Sequence, residues 1–378
     1  MKKIITFLFL AVYCSSCIKQ NAPRAEENTE QSAATKARAV TDPNPANIRV
    51  RGFDILSTIA TIDLDDVRSY KANVVRVLFT SPSHRFINEK DANGNYSLNV
   101  NAFTKLDQLV ALCRARNIKL IIDPHTTPGA INPYTGNPGD RLWTDTKLQD
   151  MVVEMWRQIS NHCHTGSSFI IYDLYNEPFL PTGRPNAWNE LAKRIVVALR
   201  DEKQDKCEIL LQPAGYQGNG WVDRIPNLPN LIIPKKANGS VYPSITVSPH
   251  LYTPLSYTHQ VTIPGYPPTS YTTTVKNQML NEIQIIRNYQ TNNNNVKINI
   301  GEFSVTRAAA DGNSYLTDAV NKFESYNWDW VYHSFREAYD WDAEMEPLGN
   351  VNQQPRNSNT ARMQFLKNKF QNNQFPVY

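Results

Sequence analysis

The chain has 378 residues and carries 39 basic against 35 acidic side chains, a formal charge of +4 with no concentrated basic stripe, so its charge gives no footing for a nucleic-acid partner. Its mean hydropathy of −0.48, with 18 Tyr, 14 Phe and 7 Trp, describes a water-soluble chain long enough to bury one large core.

Residues 1–17, MKKIITFLFLAVYCSSC, open with two lysines and an apolar stretch of about ten residues, too short to span a bilayer stably. This is the pattern of an export signal over residues 1–16. Cys17 behind two serines resembles the lipobox of bacterial lipoproteins, although Cys14 stands where an aliphatic residue is usual. The expectation is a lipid anchor on Cys17 and residence at a periplasmic or cell-surface membrane face, with plain secretion as the alternative. Removing residues 1–16 takes away two lysines and no acid, leaving a charge of +2. Residues 17–46 are polar and free of aromatics, so they cannot offset ordering entropy by burial and read as a tether. One domain is expected over 47–378. Its cysteines are Cys113, Cys163 and Cys207, and a Cys163–Cys207 bridge competes with three small buried side chains.

Along that domain eight short apolar runs recur, at 48–56, 73–79, 118–124, 169–175, 208–214, 244–252, 296–303 and 328–335. They are apolar nearly throughout, which suits strands covered on both faces of a parallel sheet. Segments of helical period lie between them, at 103–117, 148–159, 189–202, 278–289 and 361–370. Strands alternating with helices point to an α/β fold of the (β/α)8 TIM-barrel type. An open doubly wound sheet is the alternative, but no Gly-rich phosphate turn follows the first run.

In a barrel the chemistry sits at the C-terminal strand ends. Here those ends carry Arg76 on the second run, Asp123-Pro124-His125 on the third, Asn176-Glu177 on the fourth, His250-Leu251-Tyr252 on the sixth and Gly301-Glu302 on the seventh. Each of these polar residues taken singly has an ordinary structural reading. Their convergence on one rim is harder to explain that way.

LYNEP on the fourth run, IGEF on the seventh, IIDPH on the third and PHLY on the sixth resemble the family 5 glycoside hydrolases, and the resemblance runs from about Arg49 to the C-terminus. It implies that Glu177 is the acid/base and Glu302 the nucleophile. It further implies that Asn176 holds a sugar 2-hydroxyl, and that Arg76, His125, His250 and Tyr252 arrange the glutamates and the sugar. The chemistry is consistent: retention needs two carboxyl groups about 5 to 5.5 Å apart, one to attack and one to protonate. Two carboxylates that close do not both ionise easily, so one is expected to stay protonated near neutral pH.

Aromatic residues populate the loops after the strands, among them Tyr134, Trp143, Trp188, Tyr216, Trp221, Tyr257, Tyr266 and Tyr271. Flat rings of this kind can stack on pyranose units. Trp143, Trp221 and Tyr257 are read as contacts for sugars away from the cleavage point. One departure concerns the end of the eighth strand, where the family usually has a tryptophan flooring the cleaved sugar: that place falls on His333, with Phe335, Trp341 or Trp330 as candidate platforms. The segment NHCH (162–164 with Asn161) offers metal ligands but is placed at the opposite end of the barrel. The reading is therefore a retaining endo-acting β-1,4-glucanase-like enzyme, acting as a monomer on poly- or oligosaccharide without cofactor or metal. β-Mannanase and exo-β-glucosidase activities are the alternatives, and a catalytically degenerate glycan-binding lipoprotein is the alternative from another class.

Overall fold

The apolar runs become strands for the reason their composition suggests: both faces of the sheet are covered. The computed structural model describes residues 48–129, 141–163, 169–216, 224–309, 311–345 and 356–376. The barrel strands are β1 (Arg51–Leu56), β2 (Val74–Leu78), β3 (Lys119–Asp123), β4 (Ile170–Asp173), β5 (Glu208–Leu211), β6 (Ile245–Val247, resuming at His250–Leu251), β7 (Lys297–Phe303) and β8 (Asp329–Tyr332). Each pairs in parallel with the next, and β8 pairs with both β7 and β1, so the sheet closes into a (β/α)8 barrel.

The period-2 alternation of strands sorts residues between the lumen and the helices. Phe53, Ile55, Val75, Val77, Leu120, Ile122, Ile170 and Tyr172 point outward into the main core beneath the helices. Val50, Val74, Ile121, Ile171, Leu210 and Val331 form a separate apolar layer inside the barrel. Two residues further along, the same inward phase delivers Arg76, Asp123, Asp173, Gln212 and His333, and β1 adds Asp54. Towards the N-terminal strand ends, Lys297 bridges Glu208 at 2.9 Å and Asp329 at 2.8 Å. The apolar layer thus separates a small structural ion cluster from a larger one at the C-terminal rim.

The outer ring comprises α1 (Thr61–Ser69), α2 (Val100–Ala115), α3 (Thr146–Cys163), α4 (Ala187–Val197), α5 (Thr273–Asn292), α6 (Gly312–Ser325) and α7 (Ala361–Phe370), with short turns between. The helices α2 and α5 begin earlier than their apolar periodicity because Asn99 and Thr272 cap them, accepting from the backbone N–H of Asn101 and Val275. Between β5 and β6 the described residues form a 3-10 helix, Ile225–Asn230, in place of a longer α-helix. Cys113, Cys163 and Cys207 are buried and carry thiols, so the Cys163–Cys207 bridge is not formed. Burial pushes the Cys113 thiol up to about 12.

Gly52 marks the tightest strand contact. A Cβ there would lie 1.8 Å from the backbone oxygen of Val74, its partner across β1 and β2. Gly52→Ala is expected to destabilise the barrel by about 3 kcal/mol, because the obstacle is backbone that cannot swing aside. Chemical unfolding of the purified variant checks this, and a midpoint equal to that of the wild type would contradict it.

Candidate active site

Arg76 stands at the centre of the rim, fully buried, with a carboxylate against almost every edge of its guanidinium. Its Nε donates to Asp173 at 2.8 Å, Nη1 to Glu302 at 2.7 Å and Asp54 at 3.3 Å, and Nη2 to Asn176 Oδ1 at 2.9 Å while lying 3.0 Å from Asp123. One cation cannot satisfy four buried acids. Burial, working against Arg76, pushes Asp54 and Asp173 each up to about 6. Glu302 takes the best contact. Burial opposes its charge, but His250 and Arg76 hold its carboxyl well below the usual range.

Two local irregularities aim the glutamates. β7 changes register against β8 between Ile300 and Phe303, a bulge that turns Glu302 toward the lumen mouth. Gly301 makes room for this, since a Cβ there would meet Ser248 Oγ at 2.5 Å and His250 Nε2 at 2.9 Å. Glu177 adopts a left-handed φ of +47°, a conformation costing a non-glycine residue about 1–2 kcal/mol, and it stands immediately before Pro178. Its backbone N–H donates to Gln212 Oε1 at 2.8 Å, and Gln212 Nε2 donates in turn to Asp173 at 2.9 Å.

His250 joins the two acids. Its Nδ1 lies 3.0 Å from Glu177 Oε1 and 3.5 Å from Glu302 Oε2, and one donor atom from each of the three residues falls within 4.8 Å of the others. Tyr252 donates its hydroxyl to Glu302 Oε2 at 3.0 Å. Glu177 Oε2 meets Arg224 Nη2 at 3.2 Å. Burial alone would raise the Glu177 pKa, but Arg224 and then His250 lower it to about 2. Both carboxyls are thus drawn toward the ionised form, where one was expected to stay protonated: the Arg224 and Arg76 guanidiniums work against the repulsion between the two acids. Glu177, His250 and Glu302, and likewise Asp54, Glu302 and His333, have the donor chemistry to hold a divalent cation, but the Arg76 and Arg224 guanidiniums already supply the countercharge.

Residues 44–338 match the family described as cellulase, glycosyl hydrolase family 5. The chain belongs to this family. Among curated relatives of this family 5 protein, cellodextrinase A of Ruminococcus flavefaciens is 24% identical over 168 residues, which is 44% of this chain and 46% of that one. Endoglucanase B of Clostridium cellulovorans is 21% identical over 126 residues, 33% of this chain and 26% of that one. The chain thus aligns with less than half the length of either relative. Among solved structures, Thermotoga maritima Cel5A in complex with cellobiose shares the fold at a TM-score of 0.63 and 19% identity, covering 79% of this chain and 94% of that one. The cellulose synthase subunit Z of Clostridioides difficile does so at a TM-score of 0.62 and 20% identity, covering 78% and 94%.

The structure brings Arg76, His125, Asn176, Glu177, His250, Tyr252, Glu302 and His333 onto one rim. His125 Nδ1 lies 2.6 Å from Asp123, and its Nε2 is 3.3 Å from Asn176 Nδ2. Burial disfavours a charged His125, but Asp123 overrides this and raises its pKa. His333 sits between Asp54 at 3.3 Å and Glu337 at 3.4 Å. Trp143 does not join the site: it is 1% exposed and donates its indole N–H to Phe179 O at 2.8 Å, so the core takes its ring before a sugar can. Tyr257 is likewise buried, with its hydroxyl donated to Asp311 at 2.9 Å, and Trp188 is buried beneath Gln212. Trp221 and Tyr134 lie outside the described residues. Phe335 and Trp330 are fully buried, whereas Trp341 is partly exposed, with its ring 5.9 Å from that of His333.

Sequence reasoning missed Asp54, Asp173, Gln212, Arg224 and Glu337. The first three repeat the inward phase of their own strands: Asp173 and Gln212 stand two residues beyond the lumen residues Ile171 and Leu210, and Asp54 four beyond Val50. Arg224 and Glu337 sit in loops and have no such signal.

The His333 environment is testable by stability. Burial opposes its charge, but Glu337 and Asp54 push its pKa up to about 10 from an ordinary 6.5. Its contribution is then fully present below pH 6.5 and is lost as pH rises through 10. His333→Gln is expected to be less stable than wild type at neutral pH by about 3 kcal/mol, with the gap closing toward pH 10. Denaturant unfolding across that range checks it; a gap independent of pH would contradict the buried imidazolium.

Proposed function

We propose that this protein is a retaining hydrolase of β-linked glycans, with Glu302 as nucleophile and Glu177 as acid/base, and with β-1,4-glucan or a glucan-backboned hemicellulose as substrate. The observation carrying this is the presence of two carboxylates on opposite barrel strands within reach of one imidazole. Carboxylate oxygens of the two lie within 4.8 Å of one another, a spacing that leaves no room for a water between Glu302 and the sugar, as inversion would need, and suits direct attack on the anomeric carbon.

In this reading Arg76 and Tyr252 hold Glu302 ionised and aimed, so its lone pair attacks C1 as the glycosidic bond breaks. Glu177 delivers a proton to the departing oxygen, then takes one from the water that cleaves the glycosyl–enzyme ester. Asn176, its carbonyl fixed by Arg76, offers its amide N–H to the sugar 2-hydroxyl. The similarity to Cel5A, which is described in complexes with cellobiose and with mannotriose, supports assaying mannans beside glucans. A reducing-end assay over β-glucans, xyloglucan and mannans tests the substrate class. Heat of binding without sugar release would instead support a degenerate glycan-binding protein.

We extend the proposal to the N-terminal segment: residues 1–16 direct export and Cys17 carries a lipid. Cys17→Ser is expected to move the protein from the membrane to the soluble fraction, and unchanged membrane partition would contradict the anchor.

The roles separate by anomer. Glu177→Ala is expected to lose about 10²–10⁴-fold in kcat on saccharides. On an activated aryl glycoside it should still form the ester, and azide should restore turnover with a β-glycosyl azide as product. Glu302→Ala should yield the α-azide by direct displacement. Opposite anomers would reverse the assignment, and an inverted wild-type product would exclude double displacement.

A further inference from the structure

Glu177 is an acid by its role above, yet both of its oxygens end on N–H donors. Oε1 meets His250, which also faces Glu302, whereas Oε2 meets Arg224. Arg224 reaches it from the loop after β5, and its Nη2 also lies 3.4 Å from the Glu177 backbone oxygen. The other titratable groups facing Glu177 are Glu302 on β7 and Tyr252 and His259 after β6. An acid must carry its proton on an oxygen aimed at the glycosidic oxygen. Of the two, Oε1 is shared through His250 toward Glu302, and Arg224 holds Oε2.

Arg224 is itself only 7% exposed, and its Nε is buried without a hydrogen-bond partner among the described residues. A buried donor left unmet beside a site that binds hydroxyl-rich molecules is a group awaiting an acceptor. We propose that Arg224 is a positioning residue that exchanges partners. Before a saccharide binds it clamps Glu177 as a carboxylate; with a saccharide leaving group bound it donates to that sugar's oxygens and frees Oε2 to take a proton from solvent. The inference rests on the hydrolytic reading above and adds to it that the acid is armed only beneath a leaving group bearing hydroxyls. Removal of Arg224 leaves burial and Glu302 opposed by His250 alone among these groups, so the Glu177 pKa moves upward, the direction acid catalysis needs.

The test compares wild type, Arg224→Gln and Arg224→Lys by kcat/KM against pH, on an oligosaccharide and on an aryl glycoside of the same glycone with a good leaving group. Arg224→Gln is expected to shift the basic limb upward by about one pH unit or more. It is also expected to lose about tenfold in kcat/KM on the oligosaccharide while staying near wild type on the aryl glycoside. Arg224→Lys should recover part of both, and thermal unfolding of each variant separates misfolding from the effect. An unmoved limb, or equal losses on both substrates, overturns the clamp. If the wild type hydrolyses neither substrate, the hydrolytic reading fails instead. Titration of the Glu177 carboxyl by NMR with 13C-labelled glutamate then still judges the clamp without turnover, and an equal pKa in wild type and Arg224→Gln overturns it.

Discussion

A single guanidinium, Arg76, organises the rim of this barrel. It is fully buried and touches carboxylates from β1, β3, β4 and β7, so none of those four strands can change register without leaving a charge unpaired. Breaking one such contact in a buried cluster is costly because the partner cannot recover water. The oversupply of acids over this cation explains the pattern of protonation. Asp54 and Asp173, pushed up to about 6, share what Arg76 has left after its short contact with Glu302. The short contact with Arg76 thus favours the charged form of Glu302.

Around that fixed centre, the two glutamates stand on irregular backbone. Glu302 follows a bulge made possible by Gly301, and Glu177 holds a left-handed φ stabilised by Gln212 from below. Regular strands would point alternate residues strictly in or out. The departures let both carboxylates lean over the lumen mouth toward one imidazole, where regular strand geometry would hold them apart. Strain of this kind persists where the surroundings over-determine it, and here Arg76, His250, Arg224 and Gln212 do so.

The barrel and much of its rim were legible because strand signals are local. Apolar runs, inward phase and polar ends are all read within a few residues, and Arg76, Glu177, His250 and Glu302 each announce themselves as a polar side chain within or at the end of an apolar run. Helix α1 was not, because Leu64 and Val67 are its only buried side chains and leave too thin a stripe to count. The loop aromatics were misjudged for a different reason. Trp143 and Tyr257 follow strands as sugar contacts would, but loops fold back on the barrel, and large rings gain more from burial than from waiting at the surface.

By itself the sequence determined the eight parallel strands, five of the seven helices of the outer ring and the presence of two glutamates at the C-terminal ends of the fourth and seventh strands. Those properties follow from short-range alternation and from the rule that parallel strands are covered on both faces. Only the tertiary structure decided the charge state of the site, the pairing of Arg224 with Glu177, the suspension of His333 between Asp54 and Glu337, and which aromatic rings remain within reach of a ligand. Protonation sums fields from groups hundreds of residues apart in the chain, and loop placement depends on packing against the finished barrel, so neither quantity exists until the strands have closed.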